Sequence, residues 1–204
     1  MEPRRIRAPL DRDVALSLRA GDRALLSGEI YAARDAAHLR LREIAREGER
    51  MPFELEGAVI YYVGPTPAPP GRAIGSAGPT TSGRMDACAP ALIELGLAGM
   101  IGKGGRSARV VEAMRAHGAV YFGAIGGAGA LLMRCVEASE IVAYGDLGAE
   151  AIRRLRVRDM PLTVLIDSRG NDLYVEGRKA YLRHAEAEAL KNSGKPEGIF
   201  DAKK

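Results

Sequence analysis

The stretch Gly75-Ser76-Ala77-Gly78-Pro79-Thr80-Thr81-Ser82-Gly83-Arg84-Met85-Asp86 constrains this chain more than any other. Three glycines and a proline surround three adjacent hydroxyls, and a guanidinium follows. The apolar run Val59-Ile60-Tyr61-Tyr62-Val63 ends before it. A helical stripe follows it, with Cys88, Ala91, Leu92 and Leu95 at i, i+3, i+4 and i+7. The stretch therefore reads as a long strand-to-helix connection whose last turn opens a helix. Free N–H groups and the dipole at a helix N-terminus suit an anion. Glycines admit close backbone approach, and Arg84 can hold a carboxylate or phosphate through two parallel hydrogen bonds. The plainer alternative is a structural turn whose threonine hydroxyls cap the helix.

Strands and helices alternate on both sides of this connection. Residues 24–30 read as a strand and 32–47 as a helix stopped by Gly48, with Arg34 in its first turn. A cation there opposes the helix dipole unless it faces an external anion. Ala58 to Val63 has the continuous apolar character of a buried strand. Between Gly64 and Pro79 fall five of the chain's eleven prolines, which marks a long loop leading to a site. A helix is expected from about Arg84 to Leu95, a strand at 98–101, a helix after Ser107, and a strand at 119–122. The glycine-rich turn 123–129 is expected to open a helix running through Leu132, Val136 and Ala138. Strands are expected at 141–144, 152–157 and 162–167, the last returning through Asp172–Val175 as a hairpin. A polar helix follows at 178–191. Residues 13–18 fit either a helix or a strand. The pattern is α/β with mixed sheets. Residues 1–190 form one domain in this reading, with 191–204 a disordered tail.

Composition excludes several functions. The chain has 204 residues, 47% of them hydrophobic, which suffices for a full core. It has no apolar run near the length of a membrane span and no apolar segment after its basic N-terminus, so it reads as cytoplasmic. Its net charge of +4 is scattered and aromatics are 5%, which speaks against a nucleic-acid groove and leaves room for a small anionic substrate. Cys88 and Cys135 make no disulfide framework and cannot alone ligate a four-cysteine cluster. Both fall in apolar helical patterns and read as buried, inert thiols.

Two glycine-rich segments imitate nucleotide motifs without meeting them. In Gly102-Lys103-Gly104-Gly105-Arg106-Ser107 the lysine is followed by glycine, not Ser or Thr, and no glycine lies five residues before it. Gly123 to Gly129 is spaced G-x-x-G-G-x-G, not G-x-G-x-x-G. Close helix–strand packing accounts better for the second.

Three segments together carry a resemblance: Ala33-Arg34-Asp35-Ala36-Ala37-His38, Gly78 to Asp86, and Ile101-Gly102-Lys103-Gly104. In this order and spacing the chain resembles the β part of class I, iron–sulfur-dependent fumarate hydratases and the related L(+)-tartrate dehydratases. Val63-Gly64-Pro65-Thr66-Pro67 and residues 164–173 also look like that family. The likeness spans roughly residues 10–180, and its central nine-residue motif is highly specific. It implies a swivelling three-layer β/β/α fold. It also implies a partner α subunit that holds a [4Fe-4S] cluster with one iron open to substrate, while the β part completes the site as a heterodimer or heterotetramer. By position, Thr80 matches the general base. Arg34, Arg84 and Lys103 match residues that hold or polarise a dicarboxylate, with Thr81 beside them. Ser82 departs from the alanine expected there, and Gly105 occupies a variable position.

A C4 diacid needs two anion sites, and arginines suit one of them. Removing a carbon-bound proton needs a base within hydrogen-bond reach. A threonine hydroxyl serves only if a nearby cation such as Arg84 or Lys103 stabilises its alkoxide. The leading expectation is a β subunit of a fumarate/malate hydro-lyase. A tartrate or other hydroxy-diacid hydro-lyase, a phosphate-binding domain and a purely structural subunit are the alternatives.

Overall fold

The structure is a computed structural model and describes residues 2–193. Its frame is a seven-stranded mixed sheet in the order β1-β2-β3-β4-β5-β7-β6, closed by a further β2–β7 pairing. The strands are β1 (Arg4–Ala8), β2 (Arg23–Ala32), β3 (Val59–Tyr61), β4 (Gly99–Gly102), β5 (Val120–Gly123), β6 (Val136–Ala143) and β7 (Ile152–Ile166). β1 to β5 run parallel to their neighbours, and β7 is antiparallel to β2, β5 and β6. Strands β2, β3, β4, β5 and β7 thus form a closed ring. Helices α2 (Asp35–Glu47), α3 (Ala89–Glu94) and α4 (Ala108–His117) cover its outer face, giving three layers, β on β on α.

The two-residue period of the strands builds two cores. Val59, Tyr61, Ile101, Val120 and Phe122 point into the ring, where they meet Leu26, Ile30, Leu155, Met160 and Val164. Ile60, Tyr62, Met100 and Tyr121 point outward, beneath Leu41, Leu92, Ile93, Val110 and Met114 of the helices. Burial on both faces explains why these strands read as continuous apolar runs.

The long strand β7 serves three neighbours because it bends. Its register against β2 shifts between Leu26 and Gly28. There Asp159 takes a positive φ of 46°, its N–H donating to Ser27 Oγ at 2.9 Å and its carboxylate meeting Arg5 at 2.6 Å. Opposite, Gly28 has φ +114°, and a Cβ there would collide with the Ala8 carbonyl of β1, so only glycine lets the two strands meet. The arginines at 153, 154 and 156 alternate with buried Ile152, Leu155 and Val157 as the sequence implies, and Arg154 pairs with Glu140 across to β6.

Several expectations are corrected. The segment 84–95 is not one helix but a 3₁₀ turn, Ser82–Met85, followed by α3. Pro90 in the first turn of α3 lacks an N–H and clashes with the carbonyl four residues back, so a helix can restart there but not run through. No helix continues through Val136 and Ala138. After α5 (Gly129–Leu132) and a 3₁₀ turn, Met133–Cys135, the chain enters β6, where pairing with β7 overrides local propensity. Asp172–Val175 is not a return strand. The hairpin is limited to one bridge, Ile166 to Asp172, because Asp172 Oδ1 accepts the Tyr174 N–H at 2.8 Å and caps α6 (Leu173–Ser193). Residues 13–17 are helical within α1 (Arg12–Ser17), capped by Asp11, and Leu18 ends the helix in an extended conformation. Arg34 is the N-cap residue of α2, one position outside its first turn. Cys88 is buried, as read, but Cys135 is half-buried, and neither lies within a regular helix. The expected tail beyond Ser193 lies outside the described residues. Among the described residues no helix is long and apolar enough to cross a membrane.

Candidate active site

The carboxyl ends of β3, β4 and β5 carry the loops singled out in the sequence, the edge at which parallel sheets bind ligands. Backbone hydrogen bonds sew two of these loops together. Thr80 N–H donates to the Tyr62 carbonyl at 2.7 Å, Lys103 N–H to the Thr80 carbonyl at 3.2 Å, and Ser82 N–H to the Lys103 carbonyl at 2.9 Å. Thr81 and Lys103 form an isolated parallel bridge. Residues 80–82 therefore extend the sheet beside Lys103. The glycine-rich turn after β5 forms the far wall, where a Cβ on Gly126 would sit 3.7 Å from Lys103 Cδ and 4.0 Å from Nζ. Thr80 is half-buried, and Thr81, Arg84 and Lys103 are exposed. Thr81 makes no side-chain cap bond, so the capping role is not seen; its backbone is committed to Lys103 instead.

Arg34 and Arg84 meet on one carboxylate. Asp35 Oδ2 accepts from Arg34 Nε at 3.0 Å, and Asp35 Oδ1 forms an ion pair with Arg84 Nε at 2.7 Å. Glu150 Oε1 lies 3.1 Å from Arg34 Nη2, while its Oε2 accepts the Ala36 N–H at 2.8 Å. A Cβ on Gly64 would stand 3.1 Å from both Cδ and Nη1 of Arg34, so a larger residue would press the arginine from its place. The structure thus brings Arg34 and Arg84 together, and Thr80, Thr81 and Lys103 together, at one end of the sheet. Arg34 and Arg84 share the carboxylates of Asp35 and Glu150, and Lys103, with no ion pair among the described residues, leaves the loops electropositive.

A buried layer supports these loops. Arg106 has no exposed side-chain area and lies 5.4 Å and 5.1 Å from the ring centroids of Tyr62 and Tyr121. Its Nε donates to Asp86 Oδ1 at 2.7 Å, and the other Asp86 oxygen accepts the Ser107 N–H at 2.6 Å. Asp86, the last residue of the motif, thereby fastens the motif to the lysine loop. Burial opposes the Arg106 charge, but Tyr62 and Asp86 keep it protonated. The Tyr121 hydroxyl lies 2.9 Å from the Gly104 carbonyl and 2.8 Å from Ser82 Oγ. The carbonyl can only accept, so Tyr121 donates to it and receives from Ser82. Burial pushes the Tyr121 hydroxyl pKa up, and it remains a donor. Gly102 leaves the space that Ser82 Oγ fills. On the other side of Tyr62, the buried His38 donates from Nδ1 to the Arg34 carbonyl at 3.1 Å. Burial presses its pKa down to about 4, so it is neutral at pH 7.

Sequence reasoning missed Asp35, Glu150, Arg106 and Tyr121, and gave Asp86 no role. Asp35 and Asp86 lie inside the segments it emphasised and Arg106 beside Ser107. Glu150 has no local signal, because its partners are more than a hundred residues away.

Several cavities among the described residues lie elsewhere. One of about 270 Å³ is lined by Leu10, Glu56, Gly96 and His117, at the amino ends of β3 to β5. The cationic cluster instead forms an open face. Among the described residues no three His, Cys, Asp or Glu side chains converge to hold a metal, and burial raises the pKa of both thiols, disfavouring the ligating thiolate. The described residues therefore offer no ligand set that fits an iron–sulfur cluster.

Comparison with known proteins places these observations. Residues 5–177 match the family described as "Fumarase C-terminus". The chain is 42% identical over 154 residues to the aerobic class I fumarate hydratase of Escherichia coli (strain K12), covering 74% of this chain and 28% of that protein. It is 38% identical over 156 residues to fumarate hydratase 2 of Leishmania major, covering 76% and 28%. It is 38% identical over 168 residues to a Methanocaldococcus jannaschii chain named provisionally as an L(+)-tartrate dehydratase subunit beta, covering 79% and 86%. The chain thus spans little more than a quarter of the fumarate hydratases and most of the subunit.

Proposed function

Because the chain belongs to the fumarase C-terminus family, we propose that it is the β subunit of an iron–sulfur-dependent hydro-lyase that reversibly hydrates fumarate to L-malate. Residues 1–190 are its one domain, it acts in the cytoplasm, and it works with an α subunit as a heterodimer or heterotetramer. The observation that carries this reading is the open, cationic face holding Arg34, Thr80, Arg84 and Lys103 at the carboxyl end of the sheet. An open face cannot exclude water, and a proton-transfer site needs a second wall. The α subunit supplies that wall and holds the [4Fe-4S] cluster, for which the described residues of this chain offer no fitting ligand set.

In this proposal Arg84 and Arg34 hold a substrate carboxylate, Arg84 through the terminal nitrogens not engaged by Asp35. Thr81 lines the same pocket. Thr80, as an alkoxide, accepts the carbon-bound proton during dehydration and returns it during hydration. The Lys103 ammonium stabilises that alkoxide, since an adjacent opposite charge favours the ionised form. The backbone bonds joining residues 80–82 to Lys103 support their joint action.

A second reading, the β subunit of an L(+)-tartrate dehydratase, is favoured by the match over 86% of the Methanocaldococcus jannaschii chain. Anaerobic co-expression with the α chain, followed by initial rates on fumarate, L-malate, both tartrate enantiomers and a methyl-substituted diacid, separates the two. The expected result is turnover of fumarate and malate well above tartrate. The reverse order establishes the second reading, and no turnover of any diacid overturns both.

A further inference from the structure

We propose that Glu150 is a positioning residue, holding the Arg34 guanidinium in the one orientation in which it receives a substrate carboxylate. The inference rests on the role proposed above for Arg34, and its own basis is a strap across helix α2. After Tyr144, which has φ 54°, the chain turns through Gly145–Glu150, with Gly148 at φ 59° and ψ −112°. The strap touches α2 at two places. Asp146 takes both terminal nitrogens of Arg40, at 2.9 and 2.5 Å, and Arg40 lies 4.9 Å over the Tyr144 ring. Glu150 accepts the Ala36 N–H at 2.8 Å. Ala36 and Arg40 are four residues apart and share one face of the helix. The strap therefore docks along that face and delivers Glu150 to its amino end.

Arg34 is the N-cap residue of α2 but makes no side-chain cap bond. Glu150 does the capping from another part of the chain with one oxygen and meets Arg34 Nη2 with the other at 3.1 Å. Asp35 holds Nε at 3.0 Å, and Gly64 lies against Cδ and Nη1. The guanidinium is thus fixed by two carboxylates and a backbone wall. A planar, prearranged fork loses less freedom on meeting a carboxylate than a mobile one. A cation saturated by internal carboxylates has a second physical consequence: Glu150 competes with the ligand for Arg34. The two roles predict opposite changes in KM.

Glu150→Gln decides between them. The amide oxygen still accepts the Ala36 N–H, so α2 keeps its cap, while an amide NH₂ replaces the carboxylate oxygen facing Arg34, and both its charge and its acceptor are lost. In the α/β complex, positioning predicts KM for the diacid raised about three- to tenfold, the freedom of one side chain, with kcat within twofold. Glu150→Asp, which keeps the charge, restores part of the KM. A lowered KM overturns positioning in favour of competition. An unchanged KM overturns it as well. A second readout needs no turnover. In ¹H–¹⁵N spectra of the full chain, the Arg34 Nε–H signal should broaden or exchange faster in Glu150→Gln, while backbone signals of α2 stay in place. An unaltered Arg34 signal overturns the proposal even if the complex proves inactive on every diacid, an outcome that would remove only the functional reading.

Discussion

Thr80 and Thr81 are neighbours with different surroundings, and that difference makes the chemistry testable at single residues. Thr80 is half-buried between two backbone bonds, and Thr81 is exposed. Thr80→Val keeps the shape and removes the hydroxyl. If Thr80 is the base, kcat of the complex should fall about 10²–10⁴-fold, with KM little changed because no charged contact to the substrate is lost. Thr81→Val should alter turnover far less. Near-normal turnover in Thr80→Val with loss in Thr81→Val would move the base by one residue. Arg84→Lys keeps the charge but not the planar fork, so KM should rise, as steady-state kinetics will read. The local pattern displays a hydroxyl run beside Arg84 and Lys103 between glycines, whereas the expected roles of Thr80 and Arg34 come from the family resemblance. Asp35, Arg106 and Glu150 act through partners that only folding brings near, so no local pattern distinguishes them from surface charges.

At the scale of elements, the two site loops depend on buried groups that join them. Asp86 and Arg106 lock the 3₁₀ turn Ser82–Met85 to the start of α4. Arg106→Gln leaves the half-buried carboxylate of Asp86 without its charge partner, which costs about 1–3 kcal/mol, measurable as a lower urea midpoint with unchanged slope. His38 ties the amino end of α2 to Tyr62, their rings 5.1 Å apart. Its folded pKa of about 4 lies below the unfolded value. Its contribution is therefore complete above pH 6.5 and is lost as pH falls toward 4, where the unfolded chain binds a proton that the folded chain refuses. Across that window the unfolding free energy should fall by about 3 kcal/mol, and His38→Gln should flatten the decline. Asp167 acts in a lower window. Burial would raise its pKa, but bonds from Asn171, Ala20 and Arg169 hold it below the usual value, so its share is lost only below about pH 4. The elements most legible in the sequence were β3, β4 and β5 and helices α2 and α4, where burial and local propensity agree. The helix expected through Val136 and the strand expected at Asp172 failed where one competitor decided: pairing with β7 in the first case, and a capping carboxylate in the second.

As a whole molecule, the described chain is a closed sheet with helices α2, α3 and α4 on its outer face and a cationic, open carboxyl-end face. The three-layer architecture followed from the family resemblance. The alternation of strands and helices gave α/β, but not the closure of β2 onto β7, which goes with the register shift between Leu26 and Gly28 at the bend of Asp159. The central claim is that this face becomes a hydro-lyase site only against an α subunit. The direct measurement is anaerobic titration of a fixed amount of cluster-loaded α chain with this chain, following fumarate hydration. The account predicts negligible turnover by either chain alone and a rate that rises linearly and levels off at equimolar mixing. Full turnover by the α chain alone, or a rate indifferent to this chain, would contradict it.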